Sequence, residues 1–106
     1  MAERPTGLDL RADHWATVES ILRRRLPERE VWAFGSRTKG TAKPYSDLDL
    51  VVLGDQPLAL ATQAALADDF AESALPWRVD VVDWATTGAS FRDIIAAHRI
   101  RIHPLP

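Results

Sequence analysis

The residues with the clearest chemical potential lie in two short segments, 35–40 and 47–49. The first begins and ends with glycine and holds a hydroxyl and two cations. The second holds two carboxylates, Asp47 and Asp49, directly before an apolar run. Glycine lets a backbone approach phosphate closely, and paired carboxylates suit a hard divalent cation. The stretch therefore predicts a site that positions a metal-bound nucleotide.

The glycine-bounded segment supplies groups that suit phosphate. Gly35 and Gly40 permit a tight turn. Ser36 offers a hydroxyl and a backbone N–H at a predicted helix N-cap, and Arg37 and Lys39 add positive charge. The segment lacks the Gly-Lys-Ser/Thr ending of a P-loop, and a pattern of this kind is most often only a turn.

Asp47 and Asp49 are two residues apart at the start of a predicted strand. A period of two places both side chains on one face, roughly 6.5 Å apart along the chain. Like charges so placed repel each other, and Mg²⁺ removes that cost by binding carboxylate oxygens. The alternative is a solvated strand end with a turn-forming serine and aspartate, but the phosphate-suited turn just upstream favours the metal site.

Asp80 is the third candidate carboxylate, because it interrupts an otherwise apolar predicted strand. A metal shared with the first two aspartates would supply the partner that it needs. The alternative is a salt bridge, for example to Arg78 or Arg92. Asp83 competes with Asp80, but it falls on the opposite face of the same strand.

Hydrophobic periodicity predicts the elements that position these groups. In chain order they are a helix over 11–26, strands over 31–34 and 48–53, a helix over 58–73, a strand over 78–84, a helix starting near Ser90 and an extended tail over 100–102. Ser90 and Asp93 form a capping-box-like start for the last helix. The order predicts an α/β (α+β) fold, with a small mixed sheet of three to four strands and helices packed on one side.

Length and composition limit the function classes. A chain of 106 residues, 46% of them hydrophobic, predicts a single domain over 1–106, with a loose leader over 1–8. The net charge of −2 gives no reason to expect strong nucleic-acid binding. We expect a cytoplasmic protein, because cysteine is absent and neither a signal peptide nor a membrane span is visible.

The combined motif resembles the nucleotidyltransferase superfamily that includes DNA polymerase β. The resemblance rests on Gly35-Ser36, the Asp47-x-Asp49 pair and the later strand aspartate Asp80. The fuller string from Phe34 to Leu50 looks like the minimal bacterial and archaeal branch, the MNT proteins, which are encoded beside small all-helical HEPN-type proteins. The likeness covers nearly the whole chain, from about Trp15 to Ile102.

This resemblance implies the polymerase β-like fold and a two-metal transfer of a nucleotide. Asp47 and Asp49 would bind two Mg²⁺ ions, and Asp80 would complete the site on the acceptor side. Gly35, Ser36, Lys39 and Arg37 would hold the phosphates of ATP, the donor. The acceptor would be a hydroxyl on a helical partner protein, which the chain would modify with AMP in the manner of an antitoxin.

Two other functions remain open from the sequence. The chain could bind nucleotide and metal without chemistry and neutralise or regulate a helical partner by complex formation. It could also transfer a nucleotide to a small molecule, although relatives of that kind usually carry an additional domain. The acceptor pocket that any transferase needs is not visible in the sequence, which favours a separate protein partner.

Overall fold

The computed structural model describes residues 3–104, which form three helices and four strands. In chain order these are α1 (Ala12–Arg25), β1 (Val31–Phe34), β2 (Leu48–Val52), α2 (Leu60–Glu72), β3 (Val79–Asp83), α3 (Ala89–Ala97) and β4 (Arg99–His103). Single 3₁₀ turns follow β1 at Ser36–Thr38 and β3 at Trp84–Thr86. The predicted elements all occur, and the extended tail is a fourth strand.

The four strands form one mixed sheet in the order β3-β2-β1-β4. β1 is antiparallel to both β2 and β4, whereas β2 and β3 run parallel. Helix α2 makes the crossover that two parallel strands require. The prediction of a small α/β fold with a mixed sheet is confirmed, and β3 and β4 are the edges of that sheet.

The larger core lies between one face of the sheet and helices α1 and α2. Helix α1 contributes Trp15, Val18 and Leu22 at helical spacing, and α2 contributes Leu66 and Phe70. Each of these side chains stabilises the fold by about 1.5–3 kcal/mol when fully buried. This face therefore carries most of the apolar burial.

Helix α3 packs on the opposite face, so the prediction that all helices lie on one side is wrong. Its Ile95 is fully buried against Phe34 and Val51. The physical reason is strand alternation, because these two strand residues point away from the larger core and need a cover of their own. α3 supplies that cover.

The ends of several elements differ from the sequence expectations. Gly88 caps α3, with no side-chain hydrogen bond, so Ser90 and Asp93 form no capping box. Gly35 rather than Ser36 precedes the first 3₁₀ turn. A positive φ of 79° at Gly35 explains this difference, since it is a conformation that serine rarely adopts.

The predicted leader is not loose at its end. Leu8 is 2% exposed and packs in the larger core, and the Asp9 N–H donates to the Arg37 carbonyl at 2.8 Å. Residues 1–2 lie outside the described part of the chain. Among the described residues, every helix is too short or too polar to cross a membrane.

Candidate active site

Asp49 lies in the middle of the candidate site, on the face of the sheet against which α3 packs. In β2 it is opposite Phe34 of β1 on one side and Asp80 of β3 on the other. Neighbouring strands are about 4.8 Å apart, so Asp49 and Asp80 are adjacent carboxylates. Asp47 immediately precedes β2, two residues from Asp49 and next to the start of β3.

The backbone of Gly35 lies against the Asp49 carboxylate. A Cβ at position 35 would overlap Asp49 Oδ2 and lie 3.2 Å from its Cγ. Only glycine therefore leaves room for this carboxylate. The predicted association of the turn with the aspartates is thus a direct contact between the two segments, made across the β1–β2 pair.

The site concentrates negative charge around a partly buried group. Burial raises the pKa of Asp49 above its usual value, and the nearby charges of Asp80 and Asp47 raise it further. This electrostatic cost is what a bound cation would relieve.

Arg78 supplies one cation at the rim of the site. Its Nη2 lies 3.5 Å from Asp47 Oδ2 and 3.4 Å from Asp80 Oδ1. The salt bridge to Arg78, which the sequence left open as the alternative for Asp80, is therefore present. Arg92 instead donates to the Trp84 carbonyl at 2.6 Å and stacks on that residue's ring.

The donor chemistry of the three aspartates fits Mg²⁺, which prefers carboxylate oxygens. Within residues 3–104, however, no three His, Cys, Asp or Glu side chains are gathered closely enough to form a metal-ligand group as they stand. The Arg78 guanidinium forms ion pairs with two of the three carboxylates, those of Asp47 and Asp80. Burial, and then the charges of Asp80 and Asp47, raise the pKa of Asp49.

Asp83 has a structural role that separates it from Asp80. One of its oxygens accepts from the Leu58 N–H at 2.7 Å and the other accepts from the Ala85 N–H at 3.3 Å. These bonds hold the segment before α2 and the 3₁₀ turn after β3. The preference for Asp80 over Asp83 as the site carboxylate fits this arrangement.

The two cations of the turn have different environments. Arg37 is 6% exposed, and its guanidinium donates to the carbonyls of Asp9 and Ser46 at 2.7–3.0 Å. The same group stacks on Trp77, 4.5 Å from the ring centroid. This geometry does not support a phosphate contact by Arg37, whereas Lys39 is exposed. Ser36 is partly buried at the start of the 3₁₀ turn.

Sequence reasoning missed the loop-holding role of Arg37 and the second ion pair of Arg78, which is to Asp47. An arginine and an aspartate two residues apart in one strand gave the only signal for Arg78. For Arg37 there was none, because its carbonyl partners are backbone groups 9 and 28 residues away.

Comparison with known proteins gives a consistent result. A sequence model of the family described as nucleotidyltransferase domain matches residues 16–102. A probable protein adenylyltransferase MntA of Haemophilus influenzae is 51% identical over 88 residues, which are 83% of this chain and 77% of the relative.

Two solved structures are similar in both fold and sequence. A crystal structure of a toxin-antitoxin with AMP-PNP matches with a TM-score of 0.68 and 27% identity, covering 82% of this chain and 70% of that one. A tri-AMPylated Shewanella oneidensis HEPN toxin in complex with MNT antitoxin matches with a TM-score of 0.61 and 26% identity, covering 82% and 66%. These likenesses confirm the resemblance drawn from the motifs.

Proposed function

This chain belongs to the nucleotidyltransferase domain family, and from that premise we propose that it transfers AMP from ATP to a hydroxyl of a helical partner protein. The relatives support this choice, since one is a probable protein adenylyltransferase and another is an MNT antitoxin in complex with an AMPylated HEPN toxin. The chain would then act as the antitoxin of such a pair. We further propose a cytoplasmic setting, in keeping with its cysteine-free composition.

In the proposed reaction, the acceptor hydroxyl oxygen attacks the α-phosphorus of ATP. A new bond forms between that oxygen and the α-phosphorus. The bond from the α-phosphorus to the oxygen shared with the β-phosphorus breaks, and pyrophosphate leaves with its electron pair. Asp80 takes the hydroxyl proton as general base. Ser36, the Gly35 backbone and Lys39 hold the phosphates of the donor.

Asp47, Asp49 and Asp80 would hold the Mg²⁺ ions that the family resemblance implies. When bound, Mg²⁺ would neutralise the phosphate charge and favour a deprotonated acceptor. The single observation that carries this proposal is the crowding of Asp49, a partly buried carboxylate with Asp80 beside it in register and Gly35 against it.

Asparagine substitutions test the proposed roles. Asp47→Asn, Asp49→Asn and Asp80→Asn should each lower AMP transfer from radiolabelled ATP by at least about a hundredfold, since each removes a ligand or the base. Asp83→Asn is the matched control, because Asp83 lies in β3 with Asp80 but its carboxylate makes only structural hydrogen bonds. This variant should transfer AMP at the wild-type rate per folded molecule. Wild-type rates in both Asp47→Asn and Asp49→Asn would reject the proposal.

A second candidate is neutralisation of the partner by binding alone. Its support is that the described carboxylates form no ready-made metal-ligand group and that two of them already pair with Arg78. Mass spectrometry of the co-purified partner after incubation with ATP and Mg²⁺ separates the two functions. An added AMP mass supports transfer, whereas a tightly bound but unmodified partner supports neutralisation by binding.

A further inference from the structure

Arg78, which directly precedes β3, combines a hydrogen-bonded backbone with an exposed side chain. Its carbonyl accepts from the Leu48 N–H at 2.9 Å, which ties the backbone of Arg78 to the start of β2. Its side chain is nevertheless 77% exposed. The guanidinium can therefore move while its attachment point stays beside the carboxylates.

The guanidinium connects the two aspartates that β2 and β3 do not pair directly. It lies 3.5 Å from Asp47 and 3.4–3.5 Å from both oxygens of Asp80. Asp47 lies outside the β2–β3 register, whereas Asp49 is paired with Asp80 within it. Arg78 is thus the shared ion-pair partner of Asp47 and Asp80.

We propose that Arg78 is a positioning residue that holds Asp47 and Asp80 together until a divalent cation binds and then gives up its place. The inference rests on the proposed function, because it takes these aspartates as the ligands of that cation. A single guanidinium nitrogen, Nη2, faces both carboxylates, and the more strongly hydrated ammonium of a lysine would pair with them less well.

Because the Arg78 side chain is exposed, its replacement by a cation requires little free energy. Ion pairs between exposed groups contribute little and are screened by salt, so a divalent cation can displace Arg78. The guanidinium lies against both carboxylates, so the Arg78 side chain must move for their oxygens to become available to a cation. Arg78 therefore lowers the affinity for a divalent cation while it keeps the ligands close together.

Manganese binding measures this effect without any catalytic readout. Free Mn²⁺ is followed by electron paramagnetic resonance during titration of nucleotide-free protein. We expect Arg78→Ala to bind Mn²⁺ about three- to tenfold more tightly than wild type, and Arg78→Lys to lie between the two. Arg23→Ala is the charge-matched control, with a side chain of similar exposure on α1, and should bind like wild type.

Two results would overturn the proposal. Affinity in Arg78→Ala equal to or weaker than in wild type would mean that Arg78 does not compete with the cation. Equal affinity in Arg78→Lys and wild type would mean that charge alone, without the bridge, explains the effect. A side-chain NMR titration adds a direct test, since the Nε–H resonance of Arg78 should shift on addition of Mg²⁺.

Failure of this inference is distinguishable from failure of the proposed function. Asp49→Asn should weaken Mn²⁺ binding whatever Arg78 does. If wild type and Asp49→Asn bind Mn²⁺ equally, the proposed metal site is wrong. If Asp49→Asn weakens binding but Arg78→Ala leaves it unchanged, only the role given to Arg78 is wrong.

Discussion

Gly35 and Asp49 contact each other through a backbone and a carboxylate, with no space for a side chain at position 35. Gly35 also has a φ of 79°, which other residues rarely adopt. Two separate costs therefore follow from any substitution there. One is backbone strain, and the other is displacement of the central carboxylate.

Gly35→Ala and Gly40→Ala separate these two costs. Gly40 has a similar φ of 72°, but a Cβ there would meet nothing within 4 Å. We expect Gly40→Ala to lower the free energy of unfolding by about 1 kcal/mol and to keep transfer activity. Gly35→Ala should lower the free energy of unfolding by about 1–3 kcal/mol and abolish transfer. Urea unfolding and a transfer assay measure both, and equal activities in the two variants would contradict the close-contact argument.

The raised pKa of Asp49 makes stability depend on pH. Because the folded-state pKa lies above the unfolded one, the stabilising contribution is fully present below the unfolded pKa of about 4 and is lost as pH rises through the folded value. At neutral pH and without metal, Asp49→Asn should therefore be more stable than wild type. The difference should shrink as the pH falls through the raised folded-state pKa of Asp49, and it should be smallest at and below about pH 4.

Urea unfolding in a chelator at neutral pH and near pH 4 checks this expectation. Asp55→Asn, an exposed loop substitution, serves as the control and should show a much smaller pH-dependent difference. Addition of Mg²⁺ should stabilise wild type but not Asp49→Asn. A wild-type protein that is the more stable of the two at neutral pH in chelator would contradict the argument.

At the scale of elements, Arg37 fastens the segment between β1 and β2. Its guanidinium joins the Ser46 carbonyl, next to Asp47, to the Asp9 carbonyl before α1. The same guanidinium stacks on the ring of Trp77. The loop that delivers Asp47 is therefore held by one buried arginine.

Arg37→Ala should lower the free energy of unfolding by about 2–4 kcal/mol, since buried carbonyls lose their charged donor. Arg37→Lys should not restore the loss, because a single ammonium cannot reach the same carbonyls and stack on Trp77. Arg23→Ala, an exposed substitution, should stay within about 0.5 kcal/mol of wild type. Chemical denaturation measures all three, and full stability in Arg37→Ala would contradict the fastening role.

Local signals in the sequence explain which elements were predictable. β1 and α1 follow from apolar spacing and from the Pro27 and Gly35 boundaries, and they agree with the structure within one residue. The parity of Asp80 and Asp83 also follows from strand alternation, and it correctly separated the two faces. The side chosen by α3 was not predictable, because it depends on which face the other helices leave uncovered.

Site contacts made by backbone groups were also beyond sequence reasoning. The carbonyl partners of Arg37 have no residue-type signature, so a basic residue in a glycine-bounded turn suggested phosphate instead. Asp69 of α2 shows the same limit, since it pairs with Arg24 and Arg25 of α1, 45 and 44 residues earlier in the chain. That pairing lowers the pKa of Asp69 to about 2.

At the scale of the whole molecule, the sheet separates a large core from a small one. Helices α1 and α2 cover the larger core, whereas α3 covers the smaller core on the site face. Ile95 is the fully buried residue of α3. The two faces should therefore differ in local stability, with α3 the weaker element.

Hydrogen exchange followed by mass spectrometry can test this difference. Ile95→Ala should speed exchange in α3 by at least about tenfold and leave α1 near its wild-type rate, because the cavity affects only the smaller core. Leu66→Ala, in the larger core, should speed exchange in both helices. Equal effects of the two variants on α1 would show that the cores unfold together.

The two edges of the sheet carry opposite charges. β3 carries the partly buried Asp80 and Asp83 along one edge, and β4 carries the exposed Arg99 and Arg101 along the other. Charged side chains discourage an edge strand from pairing with a second molecule. We therefore expect Asp80→Asn to self-associate at lower protein concentrations than wild type, which size-exclusion chromatography over a series of concentrations would measure.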